Sequence, residues 1–504
     1  MGHNVQGVKI PHSEQIFVGG EWIAPSSSQR IDVINPATEE PVLQVADAQE
    51  ADVDSAVAAA RAAFDQGPWP RLSHAERAEY LRAFARGVRS RREQFAALQS
   101  IQMGLVYKEA VFAADWSAGR FDYYADLAAD FPFIERHPTS AGGNLGLLVR
   151  EPVGVVGAII PWNSPLTLMA PKLAPALLAG CTVVLKPSSV TPGEAYLLAE
   201  IAREIGLPAG VLNVVTARRG VSERLVRDPR VDKISFTGGT EAGRKIASIL
   251  GDRIARYSLE LGGKSAAVIL DDYDVEKAAT VLAASGVRMT GQVCAGLTRI
   301  IVPRRRHDEF VDALSEAIAT VSVGDPFDPA VTMGPLATED HRRRVEGYVA
   351  IGKRESRLAA GGGRPEKLER GWYVEPTVFA NVDNSARIAQ EEIFGPVLSV
   401  IPADDEHQAV DIANDSVFGL NATVFSNDIG RVYAAARRLR SGTVGHNAFR
   451  GDYEIAFGGF KQSGIGREGG REGIYPYVEA KTIILDEEPP ALVADESGTT
   501  GGKR

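Results

Sequence analysis

The sequence predicts an α/β protein built on parallel β-sheets, because short apolar runs alternate with helical segments along much of its length. Between residues 153 and 270 the apolar runs are VGVVGAII, CTVVL, VLNVV, KISF and AAVIL. The segments EAYLLAEIAREIG and TEAGRKIASIL between them have the pattern of crossover helices. Strands that are apolar throughout and joined by helices are typical of a parallel sheet that is covered on both faces.

Helices are predicted before this region. Residues 51–63, 73–92 and 107–129 carry apolar side chains at helical spacing. The second of these stretches begins with Ser73 and Glu76, which have the spacing of a capping box.

A second α/β region is predicted after residue 270. The segments RIIVP, HDEFVDALSEAIATV, YVEPTVFANV and LSVIP continue the alternation of strand and helix. The glycine-rich segments at 361–363 and 457–470 are predicted to be exposed turns. The polar residues 491–504 are predicted to be a flexible tail.

Composition and charge exclude several classes of partner. A net charge of -10 argues against nucleic acid, which needs a basic surface to neutralise phosphates. No run approaches the roughly 18 apolar residues of a membrane span, and the amino terminus lacks the apolar core of a signal peptide. With two cysteines, Cys181 and Cys294, a disulfide framework is also excluded. We therefore expect a cytoplasmic protein without a membrane or nucleic-acid partner.

Three residues could act as a nucleophile, a base and an oxyanion donor. Cys294 lies in GQVCAG, where glycines let the backbone approach a ligand, whereas Cys181 opens an apolar strand and should pack there. Glu260 ends an apolar strand in SLELGGKS, where desolvation would raise its pKa toward that of a general base. Asn163, in PWNSP, could donate its amide to an oxyanion. Each also has an ordinary alternative: a buried thiol, a solvent-facing carboxylate and a turn.

Two segments could hold a dinucleotide. KPSSVTP (186–192) follows a strand directly and places Lys186 at the edge where α/β sheets bind ligands. FTGGTEAG (236–243) runs from a strand into a helix and would offer backbone N–H groups to a pyrophosphate. Its glycines do not match G-x-G-x-x-G, so the segment is a weak signature by itself.

In their order along the chain, seven segments resemble the aldehyde dehydrogenase superfamily. They are PWNSP, KPSSVTP, FTGGTEAG, LELGGKS, GQVCAG, EEIFGPV and FGGFKQSGIGRE, and the resemblance covers residues 15–485 approximately. The family's architecture implies a Rossmann-like cofactor domain, an α/β catalytic domain and a small β element for oligomerisation. These parts would comprise residues 1–129 with 151–262, residues 263–476, and residues 130–150 with 477–490, respectively.

The resemblance implies a mechanism. Cys294 would attack an aldehyde carbon, while the Asn163 amide and the Cys294 backbone N–H would hold the oxyanion. Hydride would pass to a nicotinamide cofactor, and Glu260 would activate the water that hydrolyses the thioester to a carboxylic acid. Lys172 and Glu468 match positions that the family associates with proton relay, with a structural ion pair as the alternative.

The implied cofactor is NAD or NADP. The residues that match the family's cofactor-binding positions are Ile159, Trp162, Lys186, Ser189, Phe236, Thr237, Gly238, Gly239, Leu261, Glu392 and Phe394. Gly239 departs from the usual serine, and Ser189 from the glutamate that is common in NAD-preferring members. Because a glutamate would repel a 2′-phosphate, Ser189 predicts that NADP is used at least as well as NAD. Arg218 and Arg219 would add phosphate affinity if they face the ribose.

The substrate is less readable from the sequence. Ser164, Thr167, Leu168 and Phe457 match positions that line the family's aldehyde tunnel. Since bulky aromatic residues are common at the first of these positions, Ser164 predicts a roomier or more polar tunnel. No cationic cluster for a phosphorylated or dicarboxylate substrate is evident, and no metal site is predicted.

Three other functions are alternatives to aldehyde oxidation. A CoA-acylating member of the superfamily would lack the base, so Glu260 argues against it. A thiol esterase or hydrolase would not need the segments that match a cofactor site. A catalytically silent binding protein would not need Cys294, Glu260 and Asn163 together. A homodimer or homotetramer is expected, because residues 143–150 and 480–485 resemble edge strands, which invite pairing with another subunit.

Overall fold

The computed structural model describes residues 3–5 and 8–490, so the predicted tail at 491–504 lies outside the described residues. Short antiparallel strands come first: β1 (His3–Val5), β2 (Val8–Ile10), β3 (Ile16–Val18), β4 (Glu21–Ile23), β5 (Arg30–Asn35) and β6 (Glu40–Ala46). β1 pairs with β2, and β5 pairs with β6. β3 and β4 instead form one edge of a large sheet described below.

A helical layer follows, as predicted, with α1 (Glu50–Asp65), α2 (His74–Ser90), α3 (Arg92–Met103) and α4 (Tyr107–Leu127). The predicted capping box begins α2: Ser73 Oγ accepts the Glu76 N–H at 3.2 Å, and the Glu76 carboxylate accepts the Ser73 N–H at 2.7 Å. α3 occupies the interval between two predicted helices. Its residues from Phe95 to Met103 are all buried, so it lacks the polar face that marks a surface helix in a sequence.

The remaining elements alternate strongly between strand and helix. The first group is β7 (Ile134–His137), β8 (Leu145–Pro152), β9 (Val155–Ile159), α5 (Pro165–Ala179), β10 (Thr182–Lys186), α6 (Gly193–Glu204), β11 (Leu212–Val214), α7 (Arg219–Arg227), β12 (Lys233–Thr237), α8 (Thr240–Asp252) and β13 (Arg256–Glu260). The second group is β14 (Ser265–Ile269), α9 (Val275–Val287), β15 (Leu297–Pro303), α10 (His307–Ala319), α11 (Glu339–Glu355), β16 (Arg357–Ala360), β17 (Thr377–Ala380), α12 (Arg387–Gln390), β18 (Val397–Ala403), α13 (Glu406–Asn414), β19 (Asn421–Phe425), α14 (Ile429–Arg438), β20 (Thr443–His446), β21 (Gly464–Ile465) and β22 (Val478–Leu485).

Two large sheets organise these elements and confirm the predicted α/β class. The first has the strand order β21-β13-β12-β9-β10-β11-β3-β4, and its strands from β13 to β11 are parallel. The second has the order β16-β17-β18-β15-β14-β19-β20, and its strands from β17 to β20 are parallel. The strand order of the first sheet reverses direction at β9 and β12. Open α/β sheets bind ligands at the carboxyl ends of their strands at such a reversal.

A separate three-stranded antiparallel sheet has the order β22-β8-β7. Its strands β8 and β22 overlap the two segments predicted as candidate edge strands, and they pair with each other. The prediction is wrong for residues 143–150, because β8 is the central strand and pairs with β7 as well. Within the described residues, β7 and β22 lie at the edges of this sheet.

Two other features depart from the sequence predictions. The sequence does not predict α5. Pro171 and Pro175 lie inside this helix, and almost all of its residues are buried, so it has no periodic polar face. The prediction that residues 457–470 form an exposed turn is wrong. Phe457, Ser463 and Glu468 are buried there, and β21 within this segment pairs with β13. Among the helices in the described part of the chain, none has the length and apolar character of a membrane span.

Candidate active site

Four adjacent strands of the first sheet end at one edge, and each ends in a residue that the sequence singled out. Lys186 ends β10, Ile159 ends β9, Thr237 ends β12 and Glu260 ends β13. The strand register pairs Lys186 with Ile159 and Thr237 with Glu260. Phe236 is in turn paired with Ile159. The parallel sheet therefore brings together residues that are far apart in the sequence, up to 101 positions for Ile159 and Glu260.

The segment just before Cys294 has an unusual backbone conformation, with three consecutive residues of positive φ. Met289, Thr290 and Gly291 all have positive φ, at 51°, 57° and 71°. A Cβ at Gly291 would collide with the backbone of Gly395, so only glycine allows GQVCAG to pack against EEIFGPV.

The segment that follows Glu260 contacts the backbone of Cys294, the candidate nucleophile. A Cβ at Gly263 would collide with the carbonyl oxygen of Cys294. The LGGK segment, which joins β13 of the first sheet to β14 of the second, therefore packs directly on the backbone of Cys294. Glu260 and Cys294 are held at a fixed separation by this contact.

Cys294 is half-buried and lines a cleft of about 1010 Å³ between the two large sheets. Burial raises the pKa of its thiol to about 12, and the nearby carboxylates Glu392 and Glu260 act in the same direction. The thiol is therefore protonated at neutral pH, and its attack on a carbon needs a base. Cys181, by contrast, is fully buried as predicted, and its Sγ lies 3.3 Å from the carbonyl oxygen of Tyr477.

Glu260 is a buried carboxyl group rather than a solvent-facing one. Burial raises its pKa well above the ordinary value, and Glu468 adds to the rise while Lys172 and Arg467 oppose it. Its Oε2 atom has no hydrogen-bond partner among the described residues. A desolvated carboxyl group with a free oxygen is suited to act as a general base, because its raised pKa makes it a stronger proton acceptor than an exposed carboxylate.

Lys172 and Glu468 form a fully buried ion pair behind Glu260. Lys172 is on α5, and Glu468 is held by two backbone hydrogen bonds with Phe457, at 2.6 and 2.8 Å. The Glu468 Oε2 atom has no partner among the described residues. The ion pair that the sequence offered as the alternative to a proton relay is therefore present in the structure.

The side chain of Asn163 points toward the segment that carries Cys294. Its Nδ2 donates to the carbonyl oxygen of Gln292 at 3.0 Å, and both Asn163 and Cys294 line the cleft. Gln292 is itself held in place, because its Nε2 donates to Met289 and its Oε1 accepts from Ala337, each at 2.9 Å. Gln292 was not predicted as a site residue, although its place two residues before Cys294 in the sequence is a signal for it.

The cleft contains polar groups that fit a dinucleotide. The Oγ1 atoms of Thr237 and Thr240 are buried there without a hydrogen-bond partner in the described residues. They lie at the amino end of α8, where backbone N–H groups favour anions. A Cβ at Gly239 would meet open space, so the serine that is usual at this position would fit without strain from contacts.

The opposite wall of the cleft is formed by EEIFGPV and Trp162. The Gly263 N–H donates to Glu392 Oε1 at 3.1 Å, and burial raises the pKa of Glu392 to about 7. Phe394 has a positive φ of 64°, and its carbonyl oxygen accepts a hydrogen bond from His341 Nε2 at 2.7 Å. The rings of Trp162 and Phe394 meet edge to face at 5.4 Å.

The predicted site residues separate into two groups in the structure. Those that line the cleft are Trp162, Asn163, Ser164, Thr167, Leu168, Thr237, Gly238, Gly239, Leu261, Cys294, Glu392, Phe394 and Phe457. Those that lie outside its lining are Ile159, Lys172, Lys186, Ser189, Phe236, Glu260 and Glu468. Lys186 is buried, which lowers its pKa to about 8, and Ser189 is half-buried three residues further on.

Of the two arginines proposed to face a 2′-phosphate, one has an internal partner. Arg218 Nε donates to Asp47 Oδ2 at 2.7 Å, and Arg218 Nη2 donates to the carbonyl oxygen of Arg30 at 3.4 Å. Arg219 is exposed at the first residue of α7. Arg219 is therefore the more available of the two.

Aromatic side chains form the wall of the cleft beyond Cys294. Tyr453 and Phe457 stack at 4.6 Å, and Trp116 meets Tyr453 edge to face at 4.9 Å. Ser164 and Thr167 also line this part. Trp116 and Tyr453 were not predicted as site residues, because their spacing along the chain does not show that they meet. Within the described residues, no group of three or more His, Cys, Asp or Glu side chains could hold a metal ion.

Comparison with known proteins decides the family. A model of the aldehyde dehydrogenase family matches residues 22–483. The chain belongs to the aldehyde dehydrogenase family. The resemblance predicted from seven segments is thereby confirmed, and the protein is an aldehyde dehydrogenase, an oxidoreductase.

Relatives and solved structures resemble this aldehyde dehydrogenase over nearly its whole length. Geranial dehydrogenase of Castellaniella defragrans is 48% identical over 473 residues, which cover 94% of this chain and 98% of the relative. Betaine aldehyde dehydrogenase of Bacillus subtilis is 38% identical over 485 residues, which cover 95% of this chain and 99% of the relative. A crystal structure of an aldehyde dehydrogenase of Mycobacterium tuberculosis, in complex with NAD+, has a TM-score of 0.91 at 45% identity, covering 94% of this chain and 98% of that one.

A second solved structure contains an aldehyde as well. It is a mutant of aldehyde dehydrogenase C from Pseudomonas syringae, in complex with NAD+ and octanal. Its TM-score is 0.91 at 40% identity, and the match covers 95% of this chain and 98% of that one.

The environment of Cys294 predicts a distinct pH dependence of thiol labelling. Because only the thiolate reacts and its pKa is raised to about 12, alkylation of Cys294 by iodoacetamide should rise about tenfold per pH unit up to at least about pH 10. Mass spectrometry of the cofactor-free protein measures the rate. The Cys294→Ala variant is the control, since buried Cys181 should remain unlabelled. A rate that levels off near neutral pH would contradict the raised pKa.

Proposed function

We propose that this aldehyde dehydrogenase oxidises an aldehyde to a carboxylic acid through a thioester on Cys294, with NAD or NADP as the cofactor. The observation that supports this most strongly is that Cys294 and Asn163 share a cleft, with the buried carboxyl group of Glu260 directly behind them. In the first step the Cys294 sulfur bonds to the aldehyde carbon, and its proton leaves to a base. The Asn163 amide and the Cys294 N–H stabilise the oxygen that becomes negative.

A bound nicotinamide dinucleotide would supply the acceptor for the hydride that leaves the thiohemiacetal carbon. In this chain, Thr237, Thr240 and the amino end of α8 would hold its phosphates, because their polar groups are buried and free in the described residues. Lys186 and Glu392 would contact its riboses, and Phe394 would pack near its nicotinamide side.

Glu260 acts on the thioester that then remains on Cys294. Its free Oε2 takes a proton from a water molecule, whose oxygen bonds to the thioester carbon. The carbon–sulfur bond breaks, the carboxylic acid leaves, and the departing Cys294 sulfur takes the proton from Glu260, which restores the thiol. Lys172 and Glu468 carry away the proton that Cys294 loses in the first step, since Glu468 is close enough to raise the pKa of Glu260 and has a free oxygen of its own.

Replacing Glu260 with glutamine tests this sequence of steps. The amide keeps the shape of the side chain but cannot accept the proton, so the enzyme should stall as a thioester. We expect a burst of about one reduced cofactor per active site, then steady turnover reduced by about 100-fold or more. Rapid-mixing absorbance at the wavelength of the reduced nicotinamide measures both phases. The Cys294→Ala control should show neither phase, and turnover in that variant would remove Cys294 from the mechanism.

We further propose that NADP serves at least as well as NAD. Ser189 adds no carboxylate near the adenosine ribose, and the exposed Arg219 could approach a 2′-phosphate. Arg218 contributes less, because Asp47 already holds it. The relatives with known complexes contain NAD+ in their crystals, which supports NAD as a cofactor here as well.

Kinetics with both cofactors tests this preference. The wild-type kcat/KM for NADP should equal or exceed that for NAD. Ser189→Glu should lower kcat/KM and the binding affinity for NADP by about tenfold or more, since its carboxylate would repel the phosphate. Ser189→Ala is the matched control without added charge, and it should leave the ratio of kcat/KM for NADP to kcat/KM for NAD little changed. A strong wild-type preference for NAD would refute the proposal.

We propose that the protein forms a homodimer or homotetramer through the sheet β22-β8-β7, with residues 130–150 and 477–490 as the oligomerisation element. The remaining parts follow the predicted division, with residues 1–129 and 151–262 for the cofactor and 263–476 for catalysis. Ile134 on β7 and Ile484 on β22 are apolar and exposed in a single chain, at 46% and 59%. Edge strands with exposed apolar side chains favour pairing with another subunit. We also propose a cytoplasmic location, where the two unpaired thiols stay reduced.

Charged substitutions on this sheet should change the oligomeric state. The double variant Ile134→Lys and Ile484→Lys places two lysines on the edge strands, where lysine opposes strand pairing. Size-exclusion chromatography with light scattering should show a smaller assembly than the wild type. Ile429→Lys, which alters an equally exposed isoleucine on α14, is the control. An unchanged mass for the double variant would place the interface elsewhere.

A further inference from the structure

The substrate end of the cleft is an aromatic tunnel that leads away from Cys294. Phe457 and Tyr453 pack in one apolar cluster with Cys294, and Trp116 continues this wall outward from Tyr453. Phe112 lies on the same face of α4 as Trp116, one turn nearer the amino end, and also lines the cleft. A tunnel of this composition binds a large apolar group through the hydrophobic effect.

Aromatic walls alone do not decide the charge of the substrate, because aromatic rings also attract cations. Quaternary ammonium groups bind over the faces of such rings. The names of the relatives reflect both outcomes, since one is a geranial dehydrogenase and another a betaine aldehyde dehydrogenase. Whether the tunnel favours a neutral or a cationic substrate therefore depends on the charged residues behind the aromatic wall.

Arg120 lies directly behind Trp116. Its guanidinium carbon is 4.4 Å from the centre of the Trp116 ring, and its side chain is only 8% exposed. Its Nε and Nη1 atoms have no hydrogen-bond partner among the described residues. One face of the ring is therefore already occupied by a cation of the protein itself.

The charge of Arg120 is only partly neutralised. Its ion pair is with Glu454 at 3.3 Å, and that carboxylate is 55% exposed. Water screens the exposed carboxylate far more than the buried guanidinium, so Glu454 cancels only part of the positive charge that Arg120 places against Trp116. Burial raises the pKa of Tyr453 well above its ordinary value, and Cys294, Glu468 and Glu260 add to the rise, whereas Arg120 opposes it. The charge of Arg120 therefore acts at the tunnel wall against the acidic groups of the reacting end.

The other charged groups that line the cleft near Trp116 add little negative charge there. Glu109 is the one carboxylate among the described α4 residues that line the cleft, and Arg288 lies 4.0 Å from it. Arg450 also lines the cleft. Deeper in the site, Lys172 neutralises Glu468, and Glu260 lies at the end where the aldehyde carbon reacts.

We propose that the tunnel selects uncharged, apolar aldehydes and rejects cationic ones, and that Arg120, stacked behind Trp116, is the residue that sets this specificity. The proposal rests on the aldehyde-oxidising function proposed above. Arg120 acts by its charge and by holding Trp116 in place, so it is a specificity-determining residue and not a catalytic one.

Two aldehydes of nearly identical shape isolate the effect of charge. Betaine aldehyde carries a trimethylammonium group where 3,3-dimethylbutanal carries a tert-butyl group. The wild-type kcat/KM should be higher for 3,3-dimethylbutanal by about tenfold or more. A wild-type preference for betaine aldehyde would overturn the proposal.

Variants of the ion pair should move this ratio in opposite directions. Arg120→Met removes the buried charge and should shift the ratio toward betaine aldehyde by about tenfold. Glu454→Gln leaves Arg120 without a counter-charge and should shift the ratio the other way. Arg89→Met is the matched control, because Arg89 on α2 pairs with Asp122 on α4 without touching Trp116, and the ratio should not change. A ratio that stays constant in both ion-pair variants would refute the role of Arg120.

A binding measurement separates this proposal from the proposed function. Calorimetry with the Cys294→Ala variant gives dissociation constants for the two aldehydes without turnover. Tighter binding of 3,3-dimethylbutanal, weakened selectively by Arg120→Met, would support the tunnel's specificity even if the mechanism were wrong. If no aldehyde reduced the cofactor in the wild type, the proposed function would fail. Equal binding of both aldehydes would instead overturn the specificity proposal.

Discussion

The central constraint in this structure is the close packing of the LGGK segment on the backbone of Cys294. This segment connects the last strand of one parallel sheet to the first strand of the other, and Gly263 permits its contact with the Cys294 carbonyl. Glu260 precedes the segment, and the Gly263 N–H holds Glu392. The base, the nucleophile and one wall of the cofactor cleft therefore have their relative positions set by four residues of chain.

Burial between the two sheets has a chemical consequence. It raises the pKa of both the Cys294 thiol and the Glu260 carboxyl group, so neither is charged to its ordinary extent near neutral pH. A buried thiolate and a buried carboxylate side by side would each be costly, so the fold favours the neutral form of both groups in the absence of substrate. The buried Lys172–Glu468 pair adds no net charge beside them, because Glu468 raises the pKa of Glu260 and Lys172 lowers it.

Particular elements show where sequence reasoning succeeds and where it fails. Strands that are buried on both faces are recognisable, because their apolar runs are continuous and bounded by turns. α5 is not recognisable, since a helix buried on all sides has no periodic polar face, and two prolines disguise it further. The segment 457–470 has the composition of an exposed turn, yet its glycines serve close backbone contacts, which bury Glu468 beside Lys172.

The sequence by itself determined the α/β class, the family and the identity of Cys294, Glu260 and Asn163 as candidates, because each belongs to a contiguous segment with its own pattern. Only the tertiary structure decided which distant residues meet. It placed Gln292 under Asn163, and Arg120 behind Trp116 in the tunnel wall. Such contacts join different elements, and their energies depend on burial and distance in three dimensions, which no spacing along the chain records.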